Sequence, residues 1–239
     1  MKDLVPLLDT LGLVGMKMHL VESINLGSES YNSGSALYDA LKKLLEVEYE
    51  YKKSRSLAYK LQLAKFPSLK LLSDTTQSSL LQNIDIQKVV DNKENILLIG
   101  GSGSAKTHLA IGLAYTAIAR NYRVRFYTLN ELAHQLLRAR DHNYGIQFMN
   151  SIKRFHLIVI DELGYVPIKH EARFLLFELL AKLYEQSSLI ITTHLRFEEW
   201  DDIFGNPKAT KAIIDRVTHH CHIIETGNQS FRGGTNVDK

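Results

Sequence analysis

Residues 96–107 read ILLIGGSGSAKT: four apolar residues, a run of glycine and serine, then Ala105, Lys106 and Thr107. The apolar stretch reads as a buried strand, and residues 107–120 that follow read as a helix. A Gly-rich turn between strand and helix is the context that gives a phosphate-binding loop its meaning. Backbone N–H groups of Gly100, Gly101, Ser102, Gly103, Ser104 and Ala105 would line a concave anion site at the helix N-terminus. Lys106 would reach the β and γ phosphates of ATP and the Thr107 hydroxyl would bind Mg²⁺, with His108 ending the nucleotide-binding stretch. The usual motif closes Gly-Lys-[Ser/Thr], so Ala105 stands where a glycine is expected. A methyl group there restricts the backbone and crowds the phosphates. The bland alternative, a turn that joins strand to helix without a nucleotide, does not account for strand, turn, Lys-Thr and helix in that order.

Working outward, residues 157–165 read LIVIDELGY. Four apolar residues run into Asp161 and Glu162 at a strand's C-terminal edge, where parallel sheets bind their ligands. Asp161 would hold Mg²⁺ through water, and Glu162 would orient and polarise an attacking water. Alone, such a pair is often a solvated strand end. Roughly 55 residues after Lys106, with one strand and two helices between, it reads as the second half of the same site.

Around these motifs, apolar runs alternate with helical patterns. The expected strands are Asn95–Ile99, Val124–Thr128, Leu157–Ile160, Leu189–Thr193 and His222–Glu225; helices are expected over 107–120, 130–140 and 171–185. Near-continuous Ile, Leu and Val runs separated by helices predict an α/β fold with a parallel five-stranded sheet flanked by helices.

Residues 1 to about 66 read as helical, with Leu37, Leu41, Leu44 and Tyr51 near helical spacing and Ser35 with Asp39 as cap and first turn. The Ser- and Asn-rich stretch from Gly27 to Gly34 divides this region into two helical parts, and Pro67 closes it. The expected organisation is a small N-terminal helical domain at 1–70, binding DNA or a partner, and an ATPase domain at 71–239 with a loose tail from Gly233.

With 45% hydrophobic and 23% charged residues, the 239-residue chain has a globular composition. No apolar run reaches the ~18 residues of a membrane span, and the first residues lack a signal-peptide pattern. The single cysteine, Cys221, fits a reducing compartment, so the expected location is cytoplasmic. Net charge is only +3, but it is uneven: Lys52, Lys53, Arg55, Lys60, Lys65 and Lys70 follow one another without an acid. Tyr51, Tyr59 and Phe66 are interleaved with them. By itself such a run is most simply a solvated face with inward aromatics.

Further pieces carry a resemblance: AKTHLAIGLAYTA, VIDELGYVP, LLFELLAKLYE, LIITTHLRFEEWDDIF and AIIDRVTHHCHIIETGNQSFR, with ALYDALKKLLEVEYEYKKSR and LAKFP upstream. Together they span nearly the whole chain, which resembles the IstB-like ATP-binding proteins of insertion sequences, relatives of the DnaC helicase loader. The resemblance implies an AAA+ P-loop ATPase that forms homo-oligomers on double-stranded DNA and serves a partner transposase, without membrane contact. It favours DNA phosphates as the ligands of Lys52, Lys53, Arg55, Lys60 and Lys65, and nucleoid association when DNA is bound. It implies that Arg216 reaches a neighbouring subunit's ATP in trans and that Arg232 senses the γ-phosphate in its own subunit. His194 takes the sensor position where the family has Asn, and Leu183 stands where the family has Arg. With Ala105, these departures bear on hydrolysis more than on binding.

The run His219, His220, Cys221, His222 invites a metal, but consecutive residues cannot all face one ion, and the family carries histidines here too. Two other functions compete with transposition. A DnaC-type helicase loader is disfavoured by GYVP after the acidic pair and by FEEWDDIF. A nucleotide-gated DNA scaffold with little hydrolysis is separable only by measured turnover.

Overall fold

The computed structural model describes residues 4–25 and 34–227. Most of the expected break at 27–34, the tail from Gly233 and Arg232 lie outside the described residues. The chain divides into two compact units, Met1–Tyr59 and Lys60–Lys239.

The first unit holds α1 (Leu4–Thr10), α2 (Val14–Asn25) and most of α3 (Gly34–Ala64). Two helical parts are expected here, and the described residues show three. Gly12 takes φ +65, which ends α1 with Gly12 N–H donating to Asp9 O at 3.0 Å and Leu13 N–H to Leu8 O at 2.8 Å. Leu8, Met16 and Leu20 are buried together, with Val5, Leu13 and Leu44 packed on them. The buried Glu48 carboxylate of α3 accepts the Met16 N–H at 2.9 Å, closing an open donor in the first turn of α2.

The second unit begins with the last turn of α3. Phe66 packs edge-on against Phe126, and Arg125 donates to Leu63 O at 2.8 Å. After two 3₁₀ turns come α4 (Ile86–Asp91), β1 (Asn95–Ile99), α5 (Lys106–Ala119), β2 (Val124–Thr128), α6 (Leu129–Asp141), α7 (Gly145–Ile152), β3 (Leu157–Leu163) and α8 (His170–Leu183). The chain continues with β4 (Ser188–Thr193), α9 (Asp201–Phe204), α10 (Pro207–Thr218) and β5 (Cys221–Glu225). Among the described residues no helix is long and apolar enough to cross a membrane.

The five strands are parallel in the order β2-β3-β4-β1-β5. Leu97, Ile158, Ile160, Leu189 and Ile191 join one core cluster with Leu132 of α6, Leu176 of α8 and Ile213 of α10. Because strand side chains alternate, the equally buried Ile96, Leu98, Val159 and Ile190 face the other side. Burial on both faces is why these strands read as unbroken apolar runs.

The expected strand 157–160 is longer in the structure. β3 runs to Leu163, with its register against β4 breaking between Ile160 and Leu163. Glu162 sits in that bulge at φ +62. Asp161 and Glu162 therefore lie within the strand, not beyond it.

Helix starts differ in a way that matters for the site. Asp85, Thr128 and Asn206 cap α4, α6 and α10 with side-chain oxygens. At α5 the cap position is Ala105, which has no such oxygen, so no side chain caps the first turn of that helix.

Candidate nucleotide-binding site

The loop between β1 and α5 is anchored at its first two residues. Gly100 N–H donates to Thr193 O at 3.1 Å, and Gly101 N–H donates to Gly227 O at 3.0 Å. A Cβ on Gly100 would lie 2.3 Å from Thr226 Oγ1, so space demands glycine there. The fully buried Ser104 hydroxyl bonds Thr226 Oγ1 at 2.7 Å, joining the loop to the chain leaving β5. Gly103 has φ +82 and Ala105 φ +64. Ala105 holds the left-handed conformation a glycine would adopt freely, at a cost of about 1–2 kcal/mol.

Lys106 is almost enclosed, its ammonium donating to Gly100 O at 2.7 Å and Gly101 O at 2.6 Å. Thr107 Oγ1 donates to Asp161 Oδ1 at 3.0 Å and Oδ2 at 3.1 Å. Thr192, on the neighbouring strand, donates to Asp161 Oδ1 at 2.5 Å and accepts the Glu162 N–H at 3.0 Å. Burial pushes the Asp161 carboxyl above its ordinary value, against hydrogen bonds from Thr192, Thr107 and the Glu162 N–H that pull it down. An enclosed carboxylate beside a hydroxyl offers hard oxygen donors to a small cation.

The expected P-loop residues, Asp161 and Glu162 thus meet at the C-terminal edge of the sheet. His194 joins them: its ring lies 4.4 Å from Tyr165 in edge-on contact. Gly100, Gly101, Ser102, Tyr165, His194 and Arg196 border a common cavity of about 530 Å³. His108 turns aside, its Nε2 bonding Leu71 O at 2.7 Å.

Arg216 lies elsewhere. With Asn95, Leu183 and His220 it lines a small groove at the N-terminal ends of β1, β4 and β5, opposite the P-loop edge. Its guanidinium sits 5.9 Å from the Phe177 ring, and Nη1 is buried without a hydrogen-bond partner. Leu183, grouped with the ATPase machinery on sequence grounds, is fully buried beside that groove and far from Lys106 in the fold.

Of the basic run, Lys52 and Lys53 pair along α3 with Glu48 and Glu50, each at 3.5 Å, and Arg55 stacks 5.8 Å from Tyr51. Lys60 and Lys65 belong to the second unit, where Lys60 donates to Asn121 Oδ1 and Lys65 is exposed. The histidines after Arg216 go separate ways: His219 bonds the Tyr184 hydroxyl at 3.1 Å, and His222 bonds Glu94 at 2.8 Å. The His222 hydrogen bond holds the Glu94 carboxyl below its usual value, and burial pushes the Cys221 thiol up to about 12.

Thr192, Thr226 and Arg196 escape a sequence reading. Only the adjacency of β3 to β4 and of β1 to β5 brings the two threonines to the site. Arg196 had a signal, two positions after His194, but a lone arginine in a loop carries no motif.

Solved structures with a similar fold include DnaI (TM-score 0.55, 16% identity, covering 65% of this chain and 90% of that one). The DnaC helicase loader gives a TM-score of 0.51 at 16% identity, covering 63% and 85%. AMPPCP-bound DnaA from Aquifex aeolicus gives 0.53 at 19%, covering 65% of this chain and 49% of its own. These likenesses establish the AAA+ fold. In sequence, the protein of insertion sequence IS232 from Bacillus thuringiensis, named for ATP binding, is 30% identical over 94% of this chain and 92% of its own. A Geobacillus stearothermophilus counterpart from IS5376 is 33% identical over 80% and 78%. The family described as IstB-like ATP binding protein matches residues 7–238, and the chain belongs to it.

Proposed function

We propose that this protein hydrolyses ATP with Mg²⁺, assembles on double-stranded DNA and presents that DNA to a partner transposase. The observation that carries the reading is the convergence of Lys106, Thr107 and Asp161 at the N-terminus of α5, which no side chain caps. Insertion-sequence relatives supply the transposition context.

Phosphates entering the loop would compete for the Lys106 ammonium, which now satisfies Gly100 O and Gly101 O. Thr107 and Asp161 would hold Mg²⁺, which when bound neutralises charge on the phosphates. Glu162, exposed at the bulge, would accept the proton of an attacking water. His194 would bond the terminal phosphate or that water. Arg216 would act on a neighbouring copy's nucleotide, since it faces away from its own P-loop. Arg232 would sense the γ-phosphate within its own subunit. Residues 1–70 would form the DNA- or partner-binding part, Lys52, Lys53, Arg55, Lys60 and Lys65 meeting phosphates in a salt-sensitive way. The place of work would be the cytoplasm, on the nucleoid when DNA is bound.

Phosphate release with duplex DNA, compared among wild type, Lys106→Ala and Glu162→Gln, tests the chemistry. Wild type should exceed both variants by at least about 100-fold. Electron microscopy with DNA, ATP and transposase should show ATP-dependent assemblies that recruit the transposase. The left-handed Ala105 favours a second reading, a nucleotide-gated scaffold. A wild-type rate equal to that of Glu162→Gln, with ATP still bound, would leave only that one.

A further inference from the structure

We infer that Thr192 is a positioning residue that sets the backbone, and through it the carboxylate, of Glu162. This rests on the hydrolytic reading above. Thr192 is 1% exposed, and its hydroxyl is used in both directions: it donates to Asp161 Oδ1 and accepts the Glu162 N–H. The ladder between β3 and β4 pairs Ile160 with Ile191 and resumes only at Leu163 with Thr193. The Glu162 N–H therefore finds its acceptor in a side chain instead of a strand carbonyl.

The next residue clamps the other end of the bulge. Thr193 Oγ1 donates to Leu163 O at 2.8 Å and accepts the Leu195 N–H at 3.0 Å. Beyond it, Gly164 turns at φ +91, where a Cβ would lie 2.2 Å from Leu195 Cδ1. Two consecutive threonines of β4 thus fix a segment whose central residue, a glutamate, holds the unfavourable left-handed conformation. Without the Thr192 hydroxyl, the Glu162 N–H loses its acceptor and the bulge is free to relax. The carboxylate is then re-aimed; Asp161 also loses one hydrogen bond but keeps those from Thr107.

The test compares Thr192→Val, which keeps shape and removes the hydroxyl, with Thr192→Ser, which restores it, in the full chain with duplex DNA. Expected for Thr192→Val is a kcat lowered about 10- to 100-fold with KM for ATP within about threefold, as for an interaction made in the transition state. Thr192→Ser should recover to within about threefold of wild type. In a Glu162→Gln background Thr192→Val should cost much less than in the wild-type background, any remainder being the lost hydrogen bond to Asp161. Independently of turnover, the Glu162 amide should exchange its hydrogen faster in nucleotide-free Thr192→Val than in wild type or Thr192→Ser. An unchanged rate in Thr192→Val, a serine variant as impaired as the valine, or full loss persisting in the Glu162→Gln background each overturns the inference. A wild type without turnover sinks the hydrolytic reading instead. Amide exchange then still decides whether Thr192 holds Glu162, and equal exchange in all three proteins refutes it.

Discussion

Thr107 Oγ1 donates to both carboxylate oxygens of Asp161, so the first turn of α5 is tied to the edge of β3. That tie places a carboxylate at 3% exposure, where burial raises its pKa from 3.8. A carboxyl with a raised native pKa favours the fold when protonated and loses that contribution as pH rises through the native value. Ionising Asp161 as pH rises through that value is therefore a cost to the nucleotide-free fold. Asp161→Asn should melt higher than wild type at about pH 7, with the gap closing toward about pH 4, while Mg²⁺-dependent ATP affinity falls. Thermal melts across pH, with and without Mg-ATP, check both halves; an Asn variant that melts lower at pH 7 contradicts this.

Ala105 stores strain in the loop that it closes. Replacing it with glycine removes a left-handed penalty of about 1–2 kcal/mol and gives back up to about 1 kcal/mol of unfolded-chain entropy. Ala105→Gly should raise the melting temperature of the nucleotide-free protein by roughly 1–3 °C and tighten ATP binding. Calorimetry and nucleotide titration read the two effects, and a lower melting temperature would show that the loop is not strained by Ala105.

What was legible in the sequence was whatever a strand or loop carries by itself. Strands 95–99 and 124–128 match their predicted bounds: Ile96 to Leu98 form an apolar run buried on both faces, and Val124, Phe126 and Tyr127 supply the buried part of the edge strand. The meeting of Lys106, Thr107 and Asp161 at one sheet edge was legible because each belongs to a local strand-end motif. Thr192 was not: TTH does not say that its strand lies beside β3, and that neighbour relation gives the hydroxyl its two partners. The β3 bulge was invisible for a related reason, since LIVIDEL has no glycine before Gly164 to mark a left-handed residue. In the first unit, Gly12 marked a break that the helical spacing around it concealed.

Glu48 carries the entry of α2. Its carboxylate accepts the Met16 N–H, while its pairing with the exposed Lys52 at 3.5 Å contributes little. Glu48→Ala removes an acceptor and opens space, which should cost the first unit about 1–2 kcal/mol. Glu48→Gln, which keeps an acceptor oxygen, should lose less. Hydrogen exchange of the α2 amides gives the comparison, and equal protection in all three proteins would mean that Glu48 is not the cap.

Arg216 faces away from its own P-loop, so the part in hydrolysis proposed for it would require a second copy. Its buried, unbonded Nη1 makes it a poor structural anchor: removing it gives up no hydrogen bond at that atom. Arg216→Ala should therefore fold and bind ATP like wild type, yet lose turnover by about 10³-fold, the scale of a trans guanidinium. Lys106→Ala should fail for the opposite reason, an empty site beside an intact arginine. Mixed, the two variants can form interfaces that pair a working P-loop with a working Arg216, so DNA-stimulated turnover should reappear at a fraction of the wild-type rate. A mixture as inactive as its components, from subunits shown to co-assemble, would place the role of Arg216 outside catalysis.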